Sequence, residues 1–364
     1  MNYSILHVIT TIDLGGAEKQ LLTLATCQSE KGFDVEVIFL KNIPTLIQDF
    51  LVAGVRVDST FAKLGFFRQC IKLRRKKVQE GVVIHAHLPR AEILCALSLE
   101  SRSFIVTRHN SEAFFPNGPV QLSKLLSRFV LKRAFALISI SKAVTSYLKS
   151  SREMSESKEN YVIPYGLKST SVLPKDKKHY RTVPIQIGTV SRLVPQKNLP
   201  LLLGALKELN SIRSSHFELT ILGTGPLERE LRLMSVALGI ENVVSWRGQT
   251  RDVMSFYRSL DIFVLPSDYE GFGLVLLEAM SQGIPVIARR ISAIPEVMGD
   301  NHPGLVDSNN PLEMAKKIEE FTNNNIVLNC LEYQYEQLQK FSISVTQAAH
   351  ENIYLKLLMR SKRV

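Results

Sequence analysis

Short apolar runs alternate with longer amphipathic segments along the whole chain, and this alternation occurs in two series. In each series a short apolar run is followed by a loop and then by a segment with the 3.6-residue period of a helix. The pattern is typical of βαβ units that build a parallel sheet. The apolar runs predict strands at 5–9, 35–40, 82–86, 103–107 and 136–140, and then at 185–190, 218–222, 243–246, 262–265 and 285–288. We therefore predict an α/β protein with two Rossmann-like domains.

A polar stretch between the two series marks the domain boundary. Residues 150–184 are rich in Ser, Lys and Pro and break the periodicity, as a linker does. We place the boundary within 166–174, with an N-terminal domain at 1–168 and a C-terminal domain at 169–340. Two further helices are predicted between 326 and 360 with no strand after them. The segment 341–364 is therefore expected to pack back on the first domain.

Composition narrows the class of protein. The chain of 364 residues is 45% hydrophobic and 22% charged, which indicates folded domains rather than disorder. No run approaches the ~18 uncharged apolar residues of a membrane-spanning helix, and the first dozen residues lack the basic start of a secretory leader. The four cysteines are widely separated and form no C-x-x-C pair, so neither a disulfide framework nor a zinc site is supported. These features favour the reducing cytoplasm.

The charge is distributed unevenly along the chain. Residues 1–170 carry a net charge of +9, whereas residues 171–364 carry only +2. A basic half beside a nearly neutral half predicts an anionic partner for the first domain, such as a phosphate, an acidic lipid surface or a nucleic acid.

The run Glu270-Gly-Phe-Gly-Leu-Val-Leu-Leu-Glu278 is the strongest candidate for chemistry. Its apolar second half predicts a helix that begins just after the strand at 262–265. Ligands of open α/β sheets bind at the carboxyl ends of strands, where the free amides of a helix N-terminus favour a phosphate. Eight residues place the two carboxylates up to ~12 Å apart, comparable to the span from sugar to ribose in a nucleotide-sugar. The alternative is a glycine-initiated helix whose glutamates only solvate its ends.

The same run resembles the E-x7-E signature of retaining glycosyltransferases of family 4, which have the two-domain GT-B architecture. Other segments of the second half resemble the family in the same order, and they are 188–192 with Lys197, 222–226, 243–248, 261–266, 281–287 and 294–296. The resemblance implies two Rossmann-like domains facing across a cleft, with the nucleotide-sugar donor bound by the second domain and the acceptor by the first.

The resemblance also implies roles for individual residues. Glu270 would hold the hydroxyls of the transferred sugar and Glu278 the ribose, while Arg192 and Lys197 would stabilise the charge on the departing diphosphate. The other donor-binding residues that the resemblance implies are Gly15, Gly16, Gly223, Gly225, Arg247, Gly271, Phe272, Gly273, Leu274 and Val275. Without the neighbouring segments that resemble the family in the same order, we would interpret Arg192 and Lys197 as a surface pair of cations on a loop. We interpret Trp246 as a core aromatic residue.

The first half resembles the family more loosely. Gly15-Gly16-Ala17-Glu18 follows the first strand and resembles the glycine loop over the donor phosphates, but it is not the G-x-G-x-x-G dinucleotide fingerprint. By resemblance His109 lies near the transferred sugar and acts in catalysis, and His87 and Asn110 lie in the vicinity of the sugar or acceptor. A histidine at the end of a strand is often only a hydrogen-bonded structural residue, and this alternative stays open, most of all for His87.

The resemblance implies a front-face mechanism in which the leaving phosphate helps to deprotonate the acceptor. We therefore assign no nucleophile. The chain contains no D-x-D motif, and the charges of Arg192, Lys197 and the helix amides would replace a metal ion. We predict an enzyme that needs neither a metal nor another cofactor.

Two basic clusters belong to the first half. The run Lys72-Leu-Arg-Arg-Lys-Lys77 follows Phe66 and Phe67, and Lys124, Arg128 and Lys132 are spaced by four residues. Phenylalanines beside a basic run can enter a membrane interface while the cations meet anionic headgroups. We predict peripheral contact with the inner face of the cell membrane and no nucleic acid, since aromatic residues do not interleave with the cations. The alternative is that these helices are simply solvated.

The working hypothesis is a glycosyltransferase that moves a sugar from a nucleotide-sugar, with UDP favoured over GDP, to a lipid-linked or polysaccharide acceptor of the cell surface. One alternative is a nucleotide-sugar epimerase, and another is a non-catalytic nucleotide-sugar-binding subunit of a synthase.

Overall fold

The computed structural model describes residues 3–76, 81–115, 118–168, 184–212 and 216–361. Contacts divide the chain into two compact units, of which one comprises 1–168 with 341–364 and the other 169–340. Much of the predicted linker lies outside the described residues, as does the last basic residue of the first cluster, Lys77.

The first unit contains a parallel sheet with a Rossmann-like strand order. Its strands within the described residues are β1 (Ser4–Ile9), β2 (Asp34–Phe39), β3 (Arg56–Asp58), β4 (Val82–His87), β5 (Phe104–Arg108), β6 (Ala136–Ser139) and β7 (Asn160–Val162). They pair in the order β3-β2-β1-β4-β5-β6-β7. The order reverses between β1 and β4, which pair directly, with His7 opposite His85 and Ile9 opposite His87. Such a reversal opens a crevice at the carboxyl ends of the strands.

Helices connect these strands, as parallel pairing requires. They are α1 (Gly16–Glu30), α2 (Ile47–Val52), α3 (Phe66–Arg75), α4 (Pro89–Ser98), α5 (Val120–Arg133) and α6 (Lys142–Ser150). Helix α1 shows why the sequence folds in this way, because Leu21, Leu24 and Ala25 recur at helical spacing and are all buried. Helix α4 packs against both α3 and α5.

The second unit contains another parallel sheet of the same type. Its described strands are β8 (Ile185–Val190), β9 (Phe217–Leu222), β10 (Val244–Arg247), β11 (Ile262–Leu265), β12 (Val286–Arg289) and β13 (Leu305–Val306). They pair in the order β10-β9-β8-β11-β12-β13, so that the order reverses between β8 and β11.

The helices of the second unit follow its strands. They are α7 (Leu199–Ile212), α8 (Glu228–Ala237), α9 (Val253–Arg258), α10 (Leu274–Ser281), α11 (Ile294–Met298), α12 (Pro311–Glu320) and α13 (Asn324–Leu338). Helix α10 is buried along its length from Leu276 to Ser281, which agrees with its almost wholly apolar sequence. Trp246 is partly buried and packs against the core of this unit, as predicted for a core aromatic residue.

The last helix, α14 (Ile343–Ser361), belongs to the first unit. It packs against α1 and contributes Ile353, Tyr354 and Leu357 to the core formed by β1, β2 and β4. Leu167 pairs with Ser342 just before this helix begins.

The predicted α/β class with two Rossmann-like parallel sheets is confirmed. All ten predicted strands are present, with ends that differ by one residue at most from those of the structure. The sequence analysis missed β3, β7 and β13, which are strands of two or three residues at the sheet edges. Strands this short do not complete the apolar alternation that identifies a strand from sequence. Within the described residues, no helix has both the length and the apolar character required to cross a bilayer.

Candidate functional site

The end of β8 in the second unit lies next to the end of β11, at the reversal of strand order. Phe263 of β11 is opposite Gly188 of β8. A side chain at Gly188 would meet Leu260, since a Cβ there would lie 2.4 Å from that leucine. The segments that follow β8 and β11 carry four of the five charged residues predicted for the donor site, namely Arg192, Lys197, Glu270 and Glu278, and the fifth, Arg247, lies at the end of β10.

Lys197 and Glu270 meet although they are 73 residues apart in the chain. The Lys197 Nζ lies 2.5 Å from Glu270 Oε1, and the two side chains are only 14% and 8% exposed. The Ser267 hydroxyl donates a second hydrogen bond to the same oxygen at 2.6 Å. Removing one member of such a pair leaves the other as a buried, uncompensated charge, so breaking the pair should be strongly destabilising.

The loops that carry this pair are also joined. The side-chain amide of Gln196 donates to the backbone carbonyl of Tyr269 at 2.8 Å. The backbone N–H of Asp268 donates to the backbone carbonyl of Gln196 at 2.9 Å. Gln196, which precedes Lys197, is thus bonded to both of the residues that precede Glu270.

The N-terminus of α10 follows directly after Glu270. Gly273 is the N-cap with φ of +90°, a left-handed conformation that favours glycine, and Leu274 and Val275 are the first two residues of the helix. Amides in the first turn of a helix have no partner within the helix, and the helix dipole makes this end positive. The preceding Phe272 is buried at 3% exposure. The helix N-terminus that the sequence predicts after Glu270 is present, and it belongs to a largely buried helix.

Glu278 lies one turn further along α10 and is buried at 8% exposure. It accepts a hydrogen bond of 2.9 Å from the Tyr257 hydroxyl. Burial, followed by the nearby Glu278 charge, raises the pKa of Tyr257 well above its usual value, so that the hydroxyl remains a donor. Since Glu270 is buried as well, the alternative of two glutamates that only solvate the ends of a helix is wrong.

Gly223 and Gly225 allow the loop after β9 to pack against the loop after β8. A Cβ on Gly223 would lie 1.9 Å from the Ser191 carbonyl oxygen, and a Cβ on Gly225 would lie 2.4 Å from that of Leu193. Arg192, between these two contacts, has an exposed side chain. These glycines are therefore required for the close approach of two backbones that present Arg192.

Arg192 and Arg247 are both exposed. Across the described part of the chain, neither guanidinium forms a hydrogen bond or an ion pair, and Arg247 uses its carbonyl to accept from the Gly223 amide at 2.9 Å. Two cations without a partner among the described residues thus flank the two loops that Gly223 and Gly225 allow to approach each other.

In the first unit, the predicted glycine loop precedes α1. Gly15 is the N-cap, and a Cβ on it would lie 2.2 Å from a Glu18 carboxylate oxygen, whereas Gly16 has open space around it. Glu18 is buried and accepts from the Thr11 hydroxyl at 2.7 Å. The carboxylate of Glu18 therefore lies against the loop itself.

His87 and His109 lie at the ends of β4 and β5 and contact each other. Their rings are joined by a hydrogen bond of 3.1 Å, from His87 Nδ1 to His109 Nε2. The remaining nitrogen of His109 bonds the Tyr165 hydroxyl at 2.6 Å, and that of His87 bonds His7 at 3.0 Å. Both nitrogens of each ring are thus engaged inside the protein.

Burial lowers the pKa of His109 to about 3, with smaller contributions from His350 and Arg108, and lowers that of His87 well below its usual value. Both rings are neutral at neutral pH. Asn110 is exposed, and its side chain donates to Glu112 at 2.8 Å.

Arg108 anchors the end of β5 on the side opposite to His109. Its Nε lies 2.8 Å from Glu92 and its Nη1 lies 3.6 Å from Glu153, while the guanidinium stacks 4.2 Å from the Phe114 ring centre. Burial raises the pKa of Glu92 to about 7, an effect that Arg108 partly opposes. This buried ion cluster and the histidines hold the strand end from both sides.

Sequence reasoning missed the partners of the predicted residues. Ser267 and Tyr257 bond the two glutamates, and His7 and Tyr165 bond the two histidines. One signal was available, because His85 and His87 alternate on β4 and so point to the same face of the sheet. The identity of the hydroxyl and histidine partners had no signature of this kind.

Family comparison covers both units. Residues 14–168 match the family described as Glycosyltransferase Family 4, and residues 174–340 match the family described as Glycosyl transferases group 1. Both families are transferases, so the epimerase and the non-catalytic subunit lose support.

Two relatives illustrate the range of similarity. An uncharacterized glycosyltransferase of Methanocaldococcus jannaschii is 25% identical over 328 residues, which is 88% of this chain and 85% of that protein. The putative colanic acid biosynthesis glycosyltransferase WcaL of Escherichia coli K12 is 33% identical over 166 residues, which is 43% of this chain and 40% of that protein.

Solved structures share the fold over the whole length. HepE of Anabaena, in complex with UDP and glucose, has a TM-score of 0.79 at 18% identity and covers 97% of this chain and 99% of its own. Sucrose-phosphate synthase of Thermosynechococcus elongatus has a TM-score of 0.78 at 18% identity and covers 98% of this chain and 100% of its own. With a Family 4 domain in its first unit and a group 1 domain in its second, the chain is a glycosyltransferase enzyme of the GT-B, family 4 type.

Proposed function

We propose that this enzyme transfers a sugar from a nucleotide-sugar, preferably a UDP-sugar, to a lipid-linked or polysaccharide acceptor of the cell surface, with retention of anomeric configuration. The observation that carries the proposal is the buried Lys197–Glu270 pair beside the N-terminus of α10. A carboxylate, an ammonium group and free helix amides at one strand end match a ligand that joins hydroxyls to a diphosphate.

The proposed roles follow from these positions. Glu270 accepts hydroxyl hydrogens of the sugar, and Glu278 does the same for the ribose. Arg192, Lys197, Arg247 and the amides of Gly273 to Val275 stabilise the negative charge that grows on the leaving diphosphate. Because fixed protein cations supply this charge, we propose that the reaction needs no metal ion.

The names of similar proteins support the donor and acceptor classes without deciding between them. HepE is described in complex with UDP-glucose, whereas one relative from Mycolicibacterium smegmatis is described as a GDP-mannose-dependent mannosyltransferase. WcaL is described in colanic acid biosynthesis and LpsB of Rhizobium meliloti in lipopolysaccharide core biosynthesis. A cell-surface glycan is the class common to the last two.

A donor screen tests the proposal. Purified protein is incubated with UDP- and GDP-sugars, with and without EDTA, and release of nucleoside diphosphate is measured together with the anomeric configuration of the product by NMR. We expect one donor to be used in EDTA, with the configuration of the donor retained. The Glu270→Gln variant should lose activity, while Glu313→Gln, an exposed glutamate of the same unit, should not. Inversion, a strict metal requirement or conversion of the donor to an epimeric nucleotide-sugar without release of nucleoside diphosphate would contradict the proposal.

We also propose peripheral contact with anionic membrane through a surface here called the α3–α5 face. It consists of the exposed apolar residues Phe67, Ile71, Leu97, Leu122, Leu125 and Phe129. Helix α4 packs against both α3 and α5, and Arg74 of α3 donates to the Leu97 carbonyl of α4 at 2.9 Å, so the three helices form one surface.

Cations accompany these apolar side chains on the α3–α5 face. Arg74, Arg75, Arg128 and Lys132 are exposed on α3 and α5. Aromatic and aliphatic groups that enter the interface, combined with cations at the headgroups, are the usual composition of a peripheral membrane surface. A lipid-linked acceptor at the inner face of the cell membrane would be reached from this position.

A further inference from the structure

Five buried histidines are concentrated in the first unit. His7 lies on β1, His85 and His87 on β4, His109 just after β5, and His350 on α14, and each is exposed by 9% or less. A buried histidine in an apolar core must have partners for both ring nitrogens. Four of these five rings meet that requirement in one continuous structure.

The four rings are links in a chain of hydrogen bonds that passes through eight side chains. From one end the chain runs Tyr165–His109 (2.6 Å), His109–His87 (3.1 Å), His87–His7 (3.0 Å), His7–Gln28 (2.9 Å), Gln28–Tyr354 (3.4 Å), Tyr354–His85 (2.8 Å) and His85–Thr107 (2.7 Å). It joins α1, α14 and three neighbouring strands. We call it the histidine chain.

Gln28 determines the direction of every hydrogen in the histidine chain. Its carbonyl oxygen can only accept, so the His7 Nε2 that it contacts must carry the hydrogen. His7 Nδ1 is then an acceptor, and His87 must donate from Nε2. By the same reasoning His109 donates from Nε2 to His87, and the Tyr165 hydroxyl donates to His109.

On the other side of Gln28 the order continues. Its amide nitrogen donates to the Tyr354 hydroxyl, which must then donate to His85 Nδ1. His85 carries its hydrogen on Nε2 and donates to Thr107. All four rings are therefore neutral Nε2–H tautomers, and reversing the Gln28 amide would reverse all of them together.

We propose that Gln28, through the histidine chain, holds the His109 ring in a single neutral tautomer and orientation, and that Gln28, His7 and His87 are positioning residues for the end of β5. The proposal rests on the proposed function in one respect, which is that His109 lies near the transferred sugar. A single amide on α1 would thus determine the state of a ring three side chains away.

The surroundings keep the rings uncharged. Burial lowers the pKa of His7 to about 4 and that of His350 to about 4, and lowers the pKa of His85 well below its usual value. The charged groups that bear on the chain are Arg108, which lowers the pKa of His109, and Glu18, which raises that of Tyr165. A neutral ring has one donor and one acceptor, and this is the condition for a directional chain.

The cavity that borders the histidine chain is too small for a sugar. The cavity bordered by His87, His109, Tyr165 and His350 has a volume of about 20 Å³, which is room for one water molecule. Of the two rings at the strand ends, His87 is 2% exposed and His109 is 9% exposed, so His109 is the one nearer to solvent and we expect His87 to influence a substrate through it.

A metal ion is the competing occupant. One nitrogen each of His7, His85 and His87 lies within 4.8 Å of the others, so the three rings could together approach one cation. Binding a cation would require lone pairs that the histidine chain already uses, because each Nδ1 accepts a hydrogen bond. The complete set of hydrogen bonds favours protons over a metal at this place.

Nitrogen NMR of protein labelled with ¹⁵N-histidine tests the proposal directly, because Nδ1–H and Nε2–H tautomers have different ¹⁵N shifts. The chain has eight histidines, so single His→Gln variants can assign the signals. We expect neutral Nε2–H forms for His7, His85, His87 and His109 at pH 6. A charged ring, an Nδ1–H form in any of the four, or loss of the pattern on stoichiometric Zn²⁺ binding would overturn the proposal.

Gln28→Met tests the role of the amide. Without the acceptor, the His7 N–H would be buried unpaired, which is the least tolerated state of a buried polar group. We expect Nδ1–H signals to appear in His7, His87 and His109 together. Gln20→Met is the matched control, since Gln20 is a buried glutamine of the same helix whose side chain, within the described residues, bonds the Gly166 carbonyl and no histidine. The wild-type pattern in Gln28→Met, or a change in one ring alone, would contradict coupling.

Kinetic measurements on His7 variants distinguish a positioning role of this residue from a role in folding alone. His7→Leu interrupts the histidine chain, whereas His7→Gln can accept from His87 and donate to Gln28 and so preserves its direction. We expect His7→Leu to lower kcat about tenfold with little change in KM for the donor, and His7→Gln to restore most of it. Equal loss in both variants would refute the positioning role. If no donor is turned over at all, the proposed function fails while the tautomer result still stands.

Discussion

The ammonium group of Lys197 lies 2.5 Å from the carboxylate of Glu270, inside the second unit and beside the first turn of α10. Neither charge has much solvent to compensate for the loss of the other. The pair also connects two predicted roles, because Lys197, which is predicted to bind the diphosphate, is hydrogen-bonded to Glu270, which is predicted to bind the sugar hydroxyls. A donor that enters would compete for one or both of these groups.

We expect the two residues to act as a unit. Lys197→Met and Glu270→Gln should each lower kcat/KM at least a hundredfold, because each removes a transition-state contact and leaves its partner unsatisfied. Each should also destabilise the protein, by about 3 kcal/mol for a pair this deeply buried. The double variant should cost far less than the sum of the two. Additive losses in a double-mutant cycle, measured by kinetics and urea unfolding, would show that the pair is not coupled.

Gly223→Ala should destabilise the second unit strongly. The added Cβ would overlap the Ser191 carbonyl oxygen at 1.9 Å, and the φ of +143° at this position is one that alanine rarely adopts. We expect a loss of about 3 kcal/mol or more in the free energy of unfolding. Gly248→Ala is the control, because its Cβ would only make an ordinary contact of 3.9 Å with Thr224. Similar urea midpoints for the two variants would contradict this packing.

Tyr257→Phe removes the hydrogen bond to Glu278 with little change in packing. The carboxylate would lose one buried partner, which costs about 1.5–3 kcal/mol for a bond to a charged group. If Glu278 binds the ribose, the donor KM should rise about tenfold while kcat changes less. Tyr335→Phe, a partly exposed tyrosine of α13, serves as the control. A fall in kcat at constant KM would argue against the ribose role.

The buried imidazoles predict acid sensitivity. Their pKa values in the folded protein lie below the ordinary value of 6.5, at about 4 for His7, about 3 for His109 and about 4 for His350. The unfolded chain therefore binds more protons, and stability decreases as the pH falls from 6.5 towards 4. Each histidine contributes up to about 1.4 kcal/mol per pH unit in that range.

Glu92 acts in the opposite sense, because its pKa is raised to about 7 in the folded protein. Its protonated carboxyl stabilises the fold at low pH, and this contribution is lost as the pH rises towards 7. One carboxyl does not offset the histidines. Urea unfolding from pH 7 to pH 4.5 should show the decline, and His7→Gln should have a shallower slope than the wild type because it removes one titrating ring. An unchanged slope would mean that His7 does not titrate with folding.

The α3–α5 face predicts lipid binding. Phe67→Ser combined with Phe129→Ser should reduce flotation with vesicles of phosphatidylcholine and phosphatidylglycerol, since each ring that enters the interface contributes about 1.5–3 kcal/mol. The control is Val345→Ser with Met359→Ser, two exposed apolar residues of α14. Binding should weaken at high salt because the headgroup attraction is screened. No flotation of the wild type at low salt would exclude the membrane contact.

Local patterns were enough to predict much of the fold. The apolar runs located ten strands to within a residue, and the length of the chain with its polar interruption indicated two parallel sheets. The helix that begins after Glu270 was also predictable, because a glycine pair and an apolar run follow a buried strand. Edge strands such as β13, with two residues, were not, since two residues span a single period of the strand alternation and no repeat of it can be recognised.

The candidate site likewise has features that the sequence predicts and features that only the tertiary structure determines. Periodicity along this chain determined where Glu270, Glu278, His87 and His109 lie relative to their own strands and helices. Only the tertiary structure decided that Lys197 bonds Glu270 and that Gln28 of α1 orders the rings of His7, His87 and His109. The physical reason is range, because a hydrophobic period is set by neighbours within one or two turns. The partner of a buried hydrogen bond depends instead on which strands pair and on where each helix packs against the sheet.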